Sequence, residues 1–253
     1  MLTLDCSSRT QTLLTLSAGF SFKVHELEAV LLSLDLEQIY ESDPAINVDS
    51  NYYLREYVCG MLGEPRPFTS AYWFHGTRTF SGNTFPGGLL SLDKSESVVM
   101  DMLIKLAPDQ NISGKMQAWN KKMGVPDSMF QQRTADRTHW GPYGHLIREV
   151  HFHANELGLG DYVRLPELVE DVLNAYNEEY QCDLTEHYLR VLHPCLVWFL
   201  AKIDNKENTL ETALSYAYTS VRRLPPGHGT TSGIDCNGLS VPSEHVIKVE
   251  FLK

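Results

Sequence analysis

Ala71-Tyr72-Trp73-Phe74-His75-Gly76-Thr77-Arg78 is the stretch on which the fold is read. From Phe68 to Phe74 the chain is aromatic and β-branched, which predicts a buried strand ending at His75. Upstream, residues 23–41 set Val24, Leu27, Val30, Leu31 and Leu34 on one helical face. Asp49 or Ser50 caps a second helix to about Cys59, stopped by Gly60 and Gly63 with Pro65 and Pro67 behind them. Downstream, Pro86-Gly87-Gly88 is a turn, and helices are predicted over 94–106 and 113–123. Tyr143 to Phe152 predicts a second strand, and Leu165 to Tyr180 a helix with Leu168, Val169, Val172, Leu173 and Tyr176 on one side. Pro194 to Leu200 is apolar throughout, the pattern of a central strand buried on both faces. Thr209 to Val221 is helical, 224–239 is rich in Gly, Pro, Thr and Ser, and His245 to Leu252 is the closing strand. The order of elements gives one mixed α+β domain: a helical segment over 1–65, packed on a core that occupies 66–253.

Length and composition agree with that. A chain of 253 residues, 43% hydrophobic and 21% charged, has enough apolar material for a sizeable core. The formal charge of −11 argues against a general phosphate-binding surface. It leaves room for a local basic patch, for which Lys115, Lys121, Lys122, Arg133 and Arg137, or Arg222-Arg223, are the candidates. No stretch approaches the ~18 apolar residues of a membrane span, and the start shows no basic-then-apolar leader pattern. Five cysteines, an odd count without a CxxC pair, fit reduced thiols and a cytoplasmic setting.

A second stretch gives His75 its meaning. Val241-Pro242-Ser243-Glu244-His245-Val246-Ile247-Lys248-Val249 sets a glutamate at the start of the closing strand. A strand-end histidine and a strand-start glutamate, distant in sequence, can meet across one sheet. The two motifs together, His75-Gly76-Thr77-Arg78 and Pro242-x-Glu244 before an apolar strand, resemble the ADP-ribosyltransferase superfamily in its His-Tyr-Glu branch. The resemblance covers about thirty residues in two places. It implies an ADP-ribosyltransferase-like split mixed β-sheet core with helical insertions, and NAD as co-substrate. It also implies that His75 holds the adenosine ribose hydroxyls and that the Gly76 backbone clasps the carboxamide, with Thr77 and Arg78 completing the cofactor-binding run. The family's stacking tyrosine is matched best by Tyr143 in Gly141-Pro142-Tyr143-Gly144, with Tyr162 as the alternative. The segment Gly227 to Ser243 corresponds to the acceptor-facing loop.

Cleaving the nicotinamide–ribose bond builds positive charge on the ribose, as in glycoside hydrolysis. A carboxylate on the ribose 2′-hydroxyl both grips the sugar and stabilises that charge, and Glu244 is placed for it. Glu250 is the nearby competitor. The compact form looks like bacterial intracellular toxins of toxin–antitoxin or phage-defence systems. That likeness implies single transfer to a macromolecule, with RNA or single-stranded DNA slightly ahead of protein, and an antitoxin protein as partner. A fold-preserving binding module without chemistry, and an NAD glycohydrolase with water as acceptor, are the alternatives.

Other signals are weaker. His139, His145, His151 and His153 cluster, and Glu149 or Glu156 could join them at a metal, but no HExxH or comparable spacing is present. No metal is expected. Gly227 to Gly233 lacks the lysine of a phosphate-binding P-loop. No GxSxG elbow supports a serine nucleophile, and Cys195 lies within an apolar strand.

Overall fold

A computed structural model describes residues 2–120, 124–135 and 140–253. In chain order the elements are β1 (Leu2–Leu4), α1 (Arg9–Phe20), α2 (Val24–Ser33), α3 (Leu36–Ser42), α4 (Ser50–Leu62), β2 (Phe68–Thr79), α5 (Leu92–Lys105), α6 (Gln110–Ala118), α7 (Ser128–Ala135) and β3 (Tyr143–His145). They continue with α8 (Ala154–Leu157), α9 (Glu167–Tyr180), α10 (Thr185–Val191), β4 (His193–Lys202), α11 (Lys206–Val221), β5 (Gly233–Asp235) and β6 (Val246–Phe251). The end of the helix expected over 113–123 lies outside the described residues, as do Lys121, Lys122, Arg137 and His139.

Five strands lie in one sheet in the order β5-β3-β2-β4-β6, and β1 adds to β2. The pairs β2–β3 and β4–β6 are antiparallel, while β1 runs parallel to β2. The protein is therefore mixed α/β with an open, mainly antiparallel sheet. Among the described residues no helix is long and apolar enough to cross a membrane.

Two sequence expectations need correction. β2 does not stop at Phe74 but runs on to Thr79, so His75 stands inside a strand rather than at its end. The extension is held from outside the ladder, because the Arg78 guanidinium is tied to four main-chain carbonyls. The strand expected over 143–152 is only three residues long, and Arg148–Phe152 forms a 3-10 turn. The buried pair Ile147 and Val150 is spaced by three, the repeat of that tighter helix.

The chain divides into two compact units. One comprises Met1–Phe74, His145–Gly160 and Leu200–Ile234, so residues 1–65 fall together with the first part of β2. Here α1, α2 and α4 pack on α11. The expected cap on α4 is present: the Asp49 carboxylate accepts from the Asn51 and Tyr52 N–H groups. Gly19 lets α1 approach the strand, since a Cβ there would stand 2.5 Å from the Phe68 ring. Arg222, one residue past α11, donates to the Leu31 and Leu34 carbonyls that close α2.

The other unit comprises His75–Gly144, Asp161–Phe199 and Asp235–Lys253. Its core draws Met100 and Leu103 from α5, Ile112 and Met116 from α6, and Leu168, Val172 and Tyr176 from α9, together with Trp119 and Tyr188. The buried Tyr188 hydroxyl donates to the Leu103 carbonyl at 2.7 Å, satisfying one of the last orphan acceptors of α5. Asp171, buried on α9, takes both arms of a contact from Arg133 Nη1 at 2.8 and 2.9 Å.

Candidate functional site

Every residue that the resemblance singled out for binding or chemistry lies in that second unit. His75 is half-buried on β2, with Nδ1 2.7 Å from the Tyr143 carbonyl oxygen. A carbonyl can only accept, so Nδ1 carries the proton and donates. Burial pushes the imidazole below its ordinary pKa, and the bond to Tyr143 pulls the other way less strongly. The ring is thus neutral near pH 7, and its Nε2 presents a lone pair. Among the described residues nothing bonds to that nitrogen. Chemically it is an acceptor waiting for an O–H or N–H.

Gly76 is buried next to it and Thr77 is half-buried. Arg78 is bonded within the protein. Nε donates to Leu192 O, Nη1 to Val163 O and Arg164 O, and Nη2 to Leu189 O and Leu192 O, over 2.7–3.2 Å. All five guanidinium N–H groups are consumed. None of the five is left over for a further acceptor. The residue instead lashes the loop after Asp161 and the end of α10 to β2.

Tyr143 is 41% exposed, and its main-chain carbonyl accepts the His75 Nδ1–H. Partial burial, and then the Asp235 charge, lift its phenol above the ordinary range. Tyr162 is half-buried, and its hydroxyl donates to Glu167 Oε1 at 3.1 Å. Burial first, then the Glu167 charge and hydrogen bond, push that phenol up to about 12, and the nearby Tyr143 adds to the effect. The two candidates for the stacking role are therefore neighbours. Tyr162 leads into a chain of contacts, Glu167 to Arg133 at 3.6 Å and Arg133 to Asp171, that ties it to the core of α9.

Glu244 is exposed on a single 3-10 turn, Ser243–His245, immediately before β6. Its approach is clamped by the loop that follows β2. Leu89 and Val241 exchange both backbone hydrogen bonds, at 3.0 and 2.8 Å, and Ser91 N donates to Ser240 Oγ. Gly88 makes this possible: its φ is +79° and a Cβ would lie 2.0 Å from the Val241 carbonyl oxygen. The same framework reaches Tyr143, for Leu92 N donates to Trp140 O and Cys236 N to Pro142 O. Gly141 lets the two segments touch, with a Cβ there 2.5 Å from Asp235 Oδ1. His75 and Tyr143 are in direct contact, and Glu244 is linked to them through these main-chain bonds. Glu250, the competing carboxylate, accepts from Trp198 Nε1 at 2.9 Å within the sheet.

The histidines are structural in their contacts. A ring nitrogen of His145 is 3.2 Å from Thr231 O, and one of His151 is 2.9 Å from Phe74 O, with the two rings edge to face. His153 is 3.9 Å from Glu149, which accepts from the Tyr216 hydroxyl at 2.6 Å. Among the described residues no three His, Cys, Asp or Glu side chains are placed to hold a metal ion. Sequence reasoning missed the Arg78 brace, the Gly88 clamp and the Tyr162–Glu167–Arg133 chain, of which only the Gly87-Gly88 turn left a local signal. Compared with known families, with curated proteins and with solved structures, the chain has no match.

Proposed function

We propose that the chain is an NAD-dependent mono-ADP-ribosyltransferase of the His-Tyr-Glu kind, with the fold of that superfamily. One observation carries the reading: a neutral His75, fixed by its Nδ1–H bond to the main-chain carbonyl of the exposed Tyr143, offers a lone pair on Nε2. An oriented acceptor nitrogen suits a ribose hydroxyl.

On this reading NAD supplies an ADP-ribose whose bond to nicotinamide breaks with positive charge developing on the ribose. His75 Nε2 accepts a hydroxyl of the adenosine ribose and so sets the register of the dinucleotide. The Gly76 main chain takes the carboxamide, and Tyr143 stacks on the nicotinamide with Tyr162 as its neighbour. Glu244 accepts the 2′-hydroxyl of the nicotinamide ribose and faces the developing charge with a carboxylate held by the Gly88 clamp. No general acid is needed, because nicotinamide leaves neutral. Arg78 takes no part in binding the pyrophosphate.

The acceptor is a macromolecule, RNA or single-stranded DNA ahead of protein, and the biological setting is an intracellular bacterial toxin or phage-defence enzyme restrained by an antitoxin protein. With a formal charge of −11, a nucleic-acid acceptor has to be gripped locally rather than by the whole surface. The test is labelled NAD with a whole-cell lysate resolved into protein, RNA and DNA, beside Glu244→Gln. Label in one fraction that vanishes in the variant supports transfer and names the acceptor class. Free ADP-ribose without labelled macromolecule makes the protein a glycohydrolase, and intact NAD makes it a binding module.

A further inference from the structure

We propose that the face built by α3 and the start of α4 docks a basic, amphipathic helix of another protein. Leu36, Ile39 and Tyr40 are spaced by three and four along α3, the pattern by which a helix gathers apolar residues on one side. That pattern calls for cover, yet no residue of α3 is buried. The helix is held at its start instead: the Asp35 carboxylate accepts from the Gln38 N–H at 3.0 Å, and the Tyr218 hydroxyl accepts from the Leu36 N–H at 3.1 Å. The apolar face continues beyond α3. The Tyr40 hydroxyl donates to the Val48 carbonyl at 2.8 Å and its ring meets Tyr53 edge to face, while Val48 and Tyr52 are 45% and 42% exposed. α3 bonds its own main chain, so a partner gains here by burying side chains and not by adding a strand.

Charge selects the partner. Residues 24–54 hold seven Asp or Glu and no Lys or Arg. Asp35, Glu37, Glu41, Asp43 and Asp49 share the stretch that carries the apolar residues, and among the described residues no cation pairs with any of them. The bordering cations are spent inside the protein. Arg55 stands 2.8, 3.7 and 3.5 Å from Glu56, Glu207 and Glu211, and Arg222 donates to the Leu31 and Leu34 carbonyls and covers the Tyr218 ring. Burial raises the Glu211 carboxyl above its ordinary range, Arg55 opposes the rise, and the charges of Asp49, Glu207 and Glu56 add to it, so negative charge accumulates at the start of α4. A nucleic acid, an anionic membrane and a second copy of the same face are all repelled by such a surface. Lysines or arginines flanking an apolar stripe meet the carboxylates while the stripe covers Ile39 and Val48. An apolar centre within a polar rim is the usual make-up of a protein interface. The inference rests on this face and is independent of the transfer reaction.

Fluorescence anisotropy with the full chain tests it, the probe being a labelled peptide of leucine and lysine, about 18 residues long, with its leucines at helical spacing. Binding should saturate at one peptide per chain and weaken with added salt. Glu37→Lys with Glu41→Lys should raise the dissociation constant about tenfold, and Ile39→Ser should raise it severalfold. Glu178→Lys with Glu186→Lys, the same change of net charge on α9 and α10, should leave it unchanged. Circular dichroism establishes that each variant is folded; if Ile39→Ser is not, Val48→Ser takes its place. No binding of the probe by the wild type would overturn the proposal, and so would equal binding of a peptide with serine for leucine, which reduces the face to a charge patch. Affinity that falls equally with both glutamate pairs would overturn it too. The same holds for labelled single-stranded RNA whose binding Glu37→Lys with Glu41→Lys weakens, or for self-association in sedimentation velocity that Ile39→Ser abolishes.

Discussion

Replacing Arg78 by methionine, which keeps the aliphatic stem and deletes the guanidinium, should destabilise the protein without touching the chemistry directly. Five hydrogen bonds to four carbonyls are lost, those of Val163, Arg164, Leu189 and Leu192. At about 1 kcal/mol per carbonyl left without its donor the sum is about 4 kcal/mol. Part of this is recovered because water reaches the exposed Arg164 side of the bond, which leaves roughly 2–3 kcal/mol. For a chain of this size each kcal/mol moves the melting temperature by about 2–4 °C, so a fall of roughly 5–10 °C is expected. Arg78→Lys restores charge and at most three donors in a different geometry, and should recover only about half of the loss. The assay is urea and thermal unfolding of both variants, with KM for NAD measured well below the melting range. A brace predicts a large stability loss and a modest change in KM. An unchanged unfolding midpoint with a sharply raised KM would refute the reasoning and return Arg78 to the cofactor.

Other outcomes follow from the same geometry. Tyr143→Ala should impair NAD turnover more than Tyr162→Phe, which loses only the bond to Glu167; the reverse ranking, read from steady-state kinetics, would transfer the stacking role to Tyr162. Because the folded-state pKa of His75 is depressed by burial, its contribution to stability is complete above the unfolded value of about 6.5 and is lost as pH falls through the lower folded value. Protonation also turns Nε2 from acceptor into donor, so turnover should show an acid limb below about 6.5 that disappears in His75→Gln; a limb that persists in that variant assigns it elsewhere. Gly88→Ala forces a side chain into positive φ and against the Val241 carbonyl, costing at least about 1–3 kcal/mol and loosening the approach to Glu244, with a lower melting temperature and reduced turnover together. A neutral result there would mean that the clamp does not position the glutamate.

The elements were legible where their causes are local. Asp49 announces the start of α4 through its own carboxylate, the apolar spacing of Leu168, Val169, Val172 and Tyr176 marks α9, and the unbroken run Cys195 to Phe199 marks a strand covered on both faces. Legibility failed where a distant partner decides. β2 outruns its apolar stretch because Arg78 finds carbonyls more than eighty residues away. The stretch after His145 reads as a strand from its aliphatic content, yet the Leu146 N–H is taken by Ser232 O and the Arg148 N–H by Cys6 O, and a 3-10 turn results. In the candidate site, His75 and Glu244 could be picked out from residue type and setting. What could not be read was that Tyr143 orients the imidazole through its carbonyl rather than its ring, or that Gly88 exists to seat Val241.

The most direct test of the account is the rate at which nicotinamide is released from NAD by the wild-type protein and by Glu244→Gln, with melting curves of both. Removal of one preorganised electrostatic stabiliser is expected to cost about 10²–10³-fold in rate while the melting temperature stays the same. Equal rates in the two proteins, or no release by the wild type with any macromolecular acceptor present, would contradict it.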